Sequence, residues 1–283
     1  MQKKRTNKEV LQWAIAQLGA EQRMEAEVLL CHVLNTSRAL LLAHDTDTIS
    51  DVNEEAYRTL IARRKAGEPF QYLLGTASFM GLDFTVTPDV LIPRFDTERL
   101  VEKSLELLET VKQPVVLDIC TGSGAIAIAI SHYRKDADVY AGDISEAALC
   151  VAQQNNRQLN TSVSFRQGDL TEPFADLKNK VHLLASNPPY ITTAEMQELP
   201  ADVQQEPHLA LWGGDDGLDF YRVLAVEAPA LLVDGGYLVF EIGWLQGEAV
   251  RQLLIEQGFH DVAVLQDWNG NDRVVTGRIC KDN

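Results

Sequence analysis

With 283 residues the chain has room for a catalytic domain and a smaller companion, since single domains cluster at about 100–200 residues. A hydrophobic share of 46% with 23% charged residues describes an ordinary globular protein with a sizeable core and excludes global disorder. Lys and Arg number 25 against 41 Asp and Glu, a formal net charge of -16, and such a surface repels the phosphates of DNA and RNA.

The one basic run, Lys3-Lys4-Arg5, is read as a solubilising frayed end. It precedes no apolar signal segment, and nowhere do about 18 apolar residues run together, so a soluble, cytoplasmic protein that neither spans nor binds a membrane is expected. Cys31, Cys120, Cys150 and Cys280 form no C-x-x-C pair, and the six histidines lack ligand spacing, so neither a disulfide nor a metal site is expected.

In chain order, Val10, Leu11, Ala14, Ile15 and Leu18 recur at helical spacing, as do Ala26, Leu29, Leu30, Val33 and Leu34. Residues 1–67 therefore predict a small helical bundle that either recognises a partner or braces the rest. Gly67-Glu68-Pro69 breaks the pattern, and the stretch from Phe79 to Val86 reads as strands around a glycine turn, giving a β-rich connector over 68–95. Beyond Arg94, apolar strands and helices alternate. Val115–Asp118, Val139–Asp143, Ser162–Phe165, Val181–Ala185, Gly236–Ile242 and Val262–Leu265 predict strands; Ala125–His132, Ser145–Asn156 and Leu218–Leu232 predict helices. The alternation implies an α/β domain over 96–283 with a doubly wound, mostly parallel sheet.

Asp118-Ile119-Cys120-Thr121-Gly122-Ser123-Gly124-Ala125 follows the first of these strands and opens a helix, the place where such sheets bind a nucleotide-like ligand. Gly122 and Gly124 carry no Cβ and let the backbone approach the ligand. The spacing also fits a dinucleotide fingerprint, so the loop alone leaves NAD and S-adenosylmethionine open. Asp143 ends the next strand about 20 residues on, where a carboxylate takes the ribose hydroxyls of either ligand. Asp118, at the mouth of the loop, would oppose a pyrophosphate and favour an ammonium and a sulfonium, which inclines the reading to the methyl donor. The bland alternative makes both acids caps of the helices that follow.

Asn187-Pro188-Pro189-Tyr190 ends another strand on the same carboxyl edge. A planar amide or aromatic amine is a poor nucleophile because its lone pair is delocalised, so it must be held by hydrogen-bond acceptors. The Asn187 side-chain oxygen and the Pro188 carbonyl are two such acceptors. The paired prolines restrict the backbone before any substrate arrives, and the Tyr190 ring offers a flat wall.

The combination D-x-x-T-G-S-G-A-I with N-P-P-Y resembles class I methyltransferases acting on planar nitrogen. With Gly67–Gly75, Leu91–Glu98, Gly213–Leu218 and Phe240-Glu241-Ile242-Gly243, nearly the whole chain is similar to the release factor glutamine methyltransferases. The resemblance implies a Rossmann-like seven-stranded sheet, a helical N-terminal domain and a β-hairpin connector. It implies S-adenosylmethionine as cofactor and, as substrate, the glutamine of the Gly-Gly-Gln motif in peptide chain release factors. By it, Asn187 and Pro188 bind the amide, with Pro189 completing the clamp and Tyr190 lining the pocket. Cys120, Thr121, Gly122, Ser123 and Gly124 cradle the methionine part beside Asp118, Asp143 holds the ribose, and Asp169 with Leu170 lies against the adenine. Three departures stand out: Cys120 occupies a common glycine place and demands a negative φ, Leu170 replaces an aromatic, and Phe95 replaces a proline. The rival readings are an adenine methyltransferase on DNA or RNA, a ribosomal-protein glutamine methyltransferase, an NAD-dependent oxidoreductase, and a binding module on a retired methyltransferase fold.

Overall fold

The computed structural model describes residues 4–281, so Lys3 of the basic run lies outside the described residues. The chain forms two compact units. The first runs to Gly75 and takes in Pro200–Gln205; the second comprises Thr76–Leu199 and continues from Glu206 to the C-terminal end.

In the first unit α1 (Asn7–Leu18) opens on a capping box. The Glu9 N–H donates to Thr6 Oγ1 at 3.2 Å and the Thr6 N–H donates to Glu9 Oε2 at 2.8 Å, which satisfies two otherwise orphaned donors. Arg5 is not a loose end, because the Ile49 N–H donates to its carbonyl at 3.0 Å and its guanidinium lies 3.5 Å from Glu54. Helices α2 (Arg23–Leu34), α3 (Arg38–Ala43), α4 (Asp51–Lys65) and α5 (Phe70–Leu74) follow, and α5 ends on Gly75 in the left-handed region. Val10, Ala14, Leu29, Leu30, Tyr57 and Ile61 form the core, with the apolar spacing of α1 and α2 turned inward as the periodicity predicts. The Tyr57 hydroxyl donates to the Ala26 carbonyl at 2.8 Å, crossing from α4 to α2. Glu27 is fully buried and held charged by Arg23 and Arg38 at 2.8 and 2.5 Å; the Arg23 hydrogen bond is the main force lowering its pKa.

The second unit opens on a hairpin of β1 (Thr76–Phe79) and β2 (Leu82–Thr85). Met80 and Gly81 both take positive φ in its two-residue turn, the geometry that matches strand twist. After α6 (Glu98–Leu107) come β3 (Val115–Ile119), α7 (Ala125–Tyr133), β4 (Asp138–Asp143), α8 (Glu146–Gln158), β5 (Val163–Gln167) and β6 (Val181–Ser186). Then follow α9 (Asp219–Leu231), β7 (Leu232–Glu241), α10 (Gly247–Glu256), β8 (Phe259–Gln266) and β9 (Asp272–Ile279). The seven large-sheet strands lie in the order β5-β4-β3-β6-β7-β9-β8, all parallel except β9.

Neighbouring residues of the central strands feed two cores. Leu117, Ile119, Leu184 and Phe240 pack with Tyr221 of α9 and Val250 of α10. Val116, Leu183, Ala185 and Val239 pack with Leu100 of α6 and Ile130 of α7. This period of two, apolar toward both sides, marks a sheet covered on both faces. Two structural surprises concern the strands beyond β6. Strand β7 starts at Leu232, not Gly236, because Leu232 pairs with Val181 across an irregularity in the register. Strand β9 was not expected from the sequence: Arg273, Gly277 and Arg278 interrupt its apolar run, and it is the pairing with β7 and β8 that makes it a strand.

Leu29 is fully buried in the small core of the first unit. Leu29→Ala is expected to cost about 2–5 kcal/mol, because the cavity left cannot close in so small a bundle; urea denaturation followed by circular dichroism measures it.

Candidate active site

The winding reverses between β3 and β6: β4 and β5 lie to one side, β7 to the other. Ile119 pairs with Ser186 at the carboxyl ends of these two strands, and the Ser186 hydroxyl donates to the Ile119 carbonyl at 2.6 Å. The glycine loop and the N-P-P-Y segment therefore leave the sheet side by side, at the switch point where open α/β sheets bind ligands. A cavity of 210 Å³ opens there. Cys120, Thr121, Gly122, Ser123, Asp143, Asp169, Leu170, Asn187 and Pro189 line it, whereas Asp118, Gly124, Pro188 and Tyr190 are not on its wall.

The glycine loop alternates left-handed residues: Cys120 at φ 60°, Gly122 at 53° and Gly124 at 82°. Cys120 thus takes the conformation that a cysteine adopts only at a cost of about 1–2 kcal/mol, contrary to the negative φ expected of it. Leu170, at φ 43°, is a second non-glycine residue held this way on the same cavity wall. The two glycines differ in role. A Cβ on Gly122 would meet nothing within 4 Å, so its face is open; a Cβ on Gly124 would stand 2.8 Å from Ile128 and 3.2 Å from Ala152. Gly124 is needed for the packing of α7 on α8 and does not serve ligand approach.

Asp118 also differs from expectation. It is fully buried beneath the loop, where Oδ2 accepts from the Thr121 hydroxyl at 2.6 Å and from the Ala127 N–H at 3.3 Å. It therefore caps the first turn of α7 from behind, while Oδ1 has no partner and burial pushes the carboxyl up to about 7. Asp143 combines both readings. It accepts from Gly122 N–H at 2.8 Å and Ser145 N–H at 2.9 Å, fixing the loop and the entry to α8, yet it still lines the cavity. Its pKa is raised, by burial first, with those backbone donors pulling it back. Buried Asn155 on α8 joins the scaffold: its Nδ2 donates to the carbonyls of Ser123 and Thr85, both at 3.0 Å, and the Thr85 N–H donates to its Oδ1 at 2.7 Å.

The cavity wall carries the carboxylates of Asp89, Asp143 and Asp169 and one guanidinium, that of Arg94, which is ion-paired to Glu206. This acidic balance disfavours a pyrophosphate and fits a nucleoside bearing a cationic amino-acid tail. The negative charge at the cavity comes from Asp89, Asp143 and Asp169, and Asp118, buried beneath the loop, is not on the wall.

The clamp is braced from behind by residues to which sequence reasoning attached no role. A Cβ on Gly213 would lie 2.6 Å from the Pro189 carbonyl oxygen and from Tyr190 Cα, and one on Gly217 would lie 2.3 Å from the Tyr190 carbonyl oxygen. The block Gly213–Leu218 is glycine-rich because backbone packs on backbone there. The Ile191 N–H donates to Leu211 O and the Gly213 N–H to Ile191 O, both at 2.9 Å, and Gln246 Nε2 donates to Tyr190 O at 3.0 Å. On the cavity side Asn187 Nδ2 donates to Thr97 Oγ1 at 3.5 Å. Tyr190 turns away from the cavity; its hydroxyl lies 3.4 Å from Glu241 Oε1, and burial raises the pKa of the phenol. Thr97 and Arg94 belong to the recognised block Leu91–Glu98, which was the available signal for them.

Residues 9–75 match the PrmC N-terminal domain family and residues 96–204 the Methyltransferase small domain family. A release factor glutamine methyltransferase of Moorella thermoacetica is 48% identical over 259 residues, covering 90% of this chain and 91% of its own length. The enzyme of the same description from Geobacter sulfurreducens is 43% identical over 279 residues, covering 97% of each chain. Among solved structures, a methyltransferase from Pyrococcus furiosus aligns at 18% identity with a TM-score of 0.51, over 72% of this chain and 92% of that one, a likeness of fold alone.

Gly213→Ala is expected to lower kcat by at least about 10-fold, because displacing the clamp by a fraction of an ångström spoils alignment; its melting temperature, read alongside, should fall far less than a core truncation would lower it. For Asp118 the folded pKa of about 7 stands above the ordinary 3.8, so the stability linked to this carboxyl is fully present below about pH 4 and is lost as pH rises toward 7. Asp118→Asn should flatten that part of the stability curve, as urea unfolding at a series of pH values would reveal.

Proposed function

The chain belongs to the release factor glutamine methyltransferase family, and on that premise we propose that it methylates the side-chain amide nitrogen of the glutamine in the Gly-Gly-Gln motif of peptide chain release factors, with Asn187 and Pro188 holding the amide. The observation that carries this reading is the meeting of Asn187 with Gly122 and Asp143 around one cavity at the β3–β6 edge. S-adenosylmethionine, when bound, supplies a methyl carbon made electrophilic by a sulfonium. Gly122 and its neighbours would hold the methionine part, Asp143 the ribose, and Asp169 with Leu170 the adenine.

Asn187 Nδ2 is turned to Thr97, which leaves the Asn187 side-chain oxygen as an acceptor for one substrate N–H; the Pro188 carbonyl accepts the other. The segment is restrained before the reaction, since prolines 188 and 189 restrict the backbone and Gly213 and Gly217 pack against it; of the two acceptors, Asn187 lines the cavity itself. The amide nitrogen would gain the methyl carbon as the carbon–sulfur bond of the donor breaks with its electron pair left on sulfur as a neutral thioether, and the nitrogen then releases one proton to solvent, so no general base is required beforehand. Positioning is the main contribution, and aligned reactants can gain about 7–11 kcal/mol from it.

A net charge of -16 favours a protein amide over the exocyclic amine of a nucleic-acid adenine, which would suit the same two acceptors. No helix among the described residues is long and apolar enough to cross a membrane.

Incubation of release factor with enzyme and labelled S-adenosylmethionine should place one methyl group on the Gly-Gly-Gln glutamine, as peptide mass spectrometry reads out. Label on nucleic acid alone would overturn the assignment. Asn187→Ala should reduce kcat by about 100-fold or more while S-adenosylmethionine affinity, measured by calorimetry, stays near that of the unaltered protein.

A further inference from the structure

Within the second unit, a groove of 550 Å³ adjoins the N-P-P-Y segment and takes no part in the proposed reaction. Its volume falls in the range of about 300–1,000 Å³ usual for ligand clefts. Two of the recognised blocks meet on its wall, Gly213–Leu218 through Asp216 and Leu218, and Phe240–Gly243 through Gly243. Tyr190 lines it as well, so the groove and the clamp share a residue. Gln246, also on the wall, fixes the two together. Its Oε1 accepts from the Gly243 N–H at 2.9 Å, and its Nε2 donates to the carbonyls of Tyr190 and Gly217 at 3.0 and 3.2 Å.

The apolar part of the wall is left in water. Trp244 and Leu245, in the turn that leads from β7 into α10, are 58% and 73% exposed, and they share the groove with the half-buried Ile191 and Leu218. Large apolar groups gathered around a concavity mark an interaction surface, and tryptophan is prominent among the side chains that anchor protein interfaces. The charge on the wall has one sign. Glu195, Glu198 and Asp216 line the groove, and none of the residues described on its wall is basic. Arg222, which is not on the wall, pairs with Asp216, so Glu195 and Glu198 set the sign. The Thr192 N–H and hydroxyl hold the Glu195 carboxylate in place at 3.0 and 2.8 Å.

Apolar contact beside fixed negative charge suits one kind of occupant, an apolar side chain with Lys or Arg next to it. Reach indicates where it comes from. Tyr190 stands two residues past Pro188, so their Cα atoms are at most about 8 Å apart. A chain whose glutamine sits against Pro188 needs only a few more residues to pass Tyr190. We propose that the groove docks the stretch of the protein substrate that flanks the methylated glutamine, an apolar side chain against Trp244 and Leu245 and its basic neighbours toward Glu195 and Glu198. The proposal rests on the reading of the substrate as a release factor and adds to it a contact remote from the reacting atoms. Such a contact holds substrate and transition state equally, so its loss raises KM and leaves kcat alone.

The test measures kcat and KM of the full chain on intact release factor, with the unaltered enzyme, Trp244→Ala, Leu245→Ser and Glu198→Lys. Trp244→Ala should raise KM about 10–30-fold, the weight of an interface anchor, and Leu245→Ser should raise it by less. In both, kcat and S-adenosylmethionine affinity should stay within about twofold, and melting temperature should hold because the side chains are exposed. KM of the unaltered enzyme should rise with salt. Glu198→Lys should raise KM at low salt about 3–10-fold and flatten that dependence.

An unchanged KM in Trp244→Ala, or a fall in kcat with KM unchanged, would overturn the proposal. A lower KM in Glu198→Lys would do so too, since it would mean an acidic occupant. So would a dimer of the unaltered protein that Trp244→Ala dissociates in sedimentation, since a second copy would then cover the groove. Failure of the unaltered enzyme to methylate release factor would count against the proposed function. In that case calorimetry of release factor binding carries the test of the groove: weaker binding by Trp244→Ala supports it, and equal or absent binding overturns it.

Discussion

Everything at the site follows from one pairing in the sheet, that of β3 with β6. The helical connections run away from this edge on both sides, so it stays open at the carboxyl ends, and the Ser186 hydroxyl ties the two strands together by a 2.6 Å bond to the Ile119 carbonyl. Two loops that leave different strands, the glycine loop after β3 and the N-P-P-Y segment after β6, are thereby brought to the same cavity. Asp143, from the adjacent β4, closes the arrangement by holding the Gly122 N–H and still facing the cavity.

Around that edge the protein separates walls from braces. The wall residues line the cavity; the braces Asp118 and Glu241 are buried away from it. Asp118 and Glu241 are both acids removed from the cavity and raised to about 7 by burial, Asp118 bonded to α7 and the loop, Glu241 beside the Tyr190 hydroxyl at 3.4 Å. The glycines divide in the same way. Gly122 presents open backbone, whereas Gly124, Gly213 and Gly217 exist to let other atoms come close. Local strain at Cys120 and Leu170 sits on the cavity wall, where a well-packed surround can hold it.

A flat NH2 group suits the clamp whether it belongs to glutamine or adenine, and geometry alone does not separate them. The surplus of acids does, by repelling a phosphate backbone at long range. The first unit takes Pro200–Gln205 from the stretch of chain that follows the clamp.

The sequence by itself determined the alternation of strands and helices, the glycine loop, the N-P-P-Y segment and their shared edge, because apolar periodicity and turn chemistry are local and are written residue by residue. It also determined the family, through blocks such as Gly213–Leu218 and Phe240–Gly243, but without saying what those blocks do. Only the tertiary structure decided that Asp118 faces inward, that Gly124 serves helix packing, that Cys120 is left-handed and that Glu241 stands behind the clamp. Strand β9 belongs with these, since Val274 and Val275 are too short a run to declare a strand until β7 and β8 pair with them on either side. The physical reason is common to all five: each depends on which atoms meet across the sheet from distant parts of the chain, and no local pattern of residue types records that.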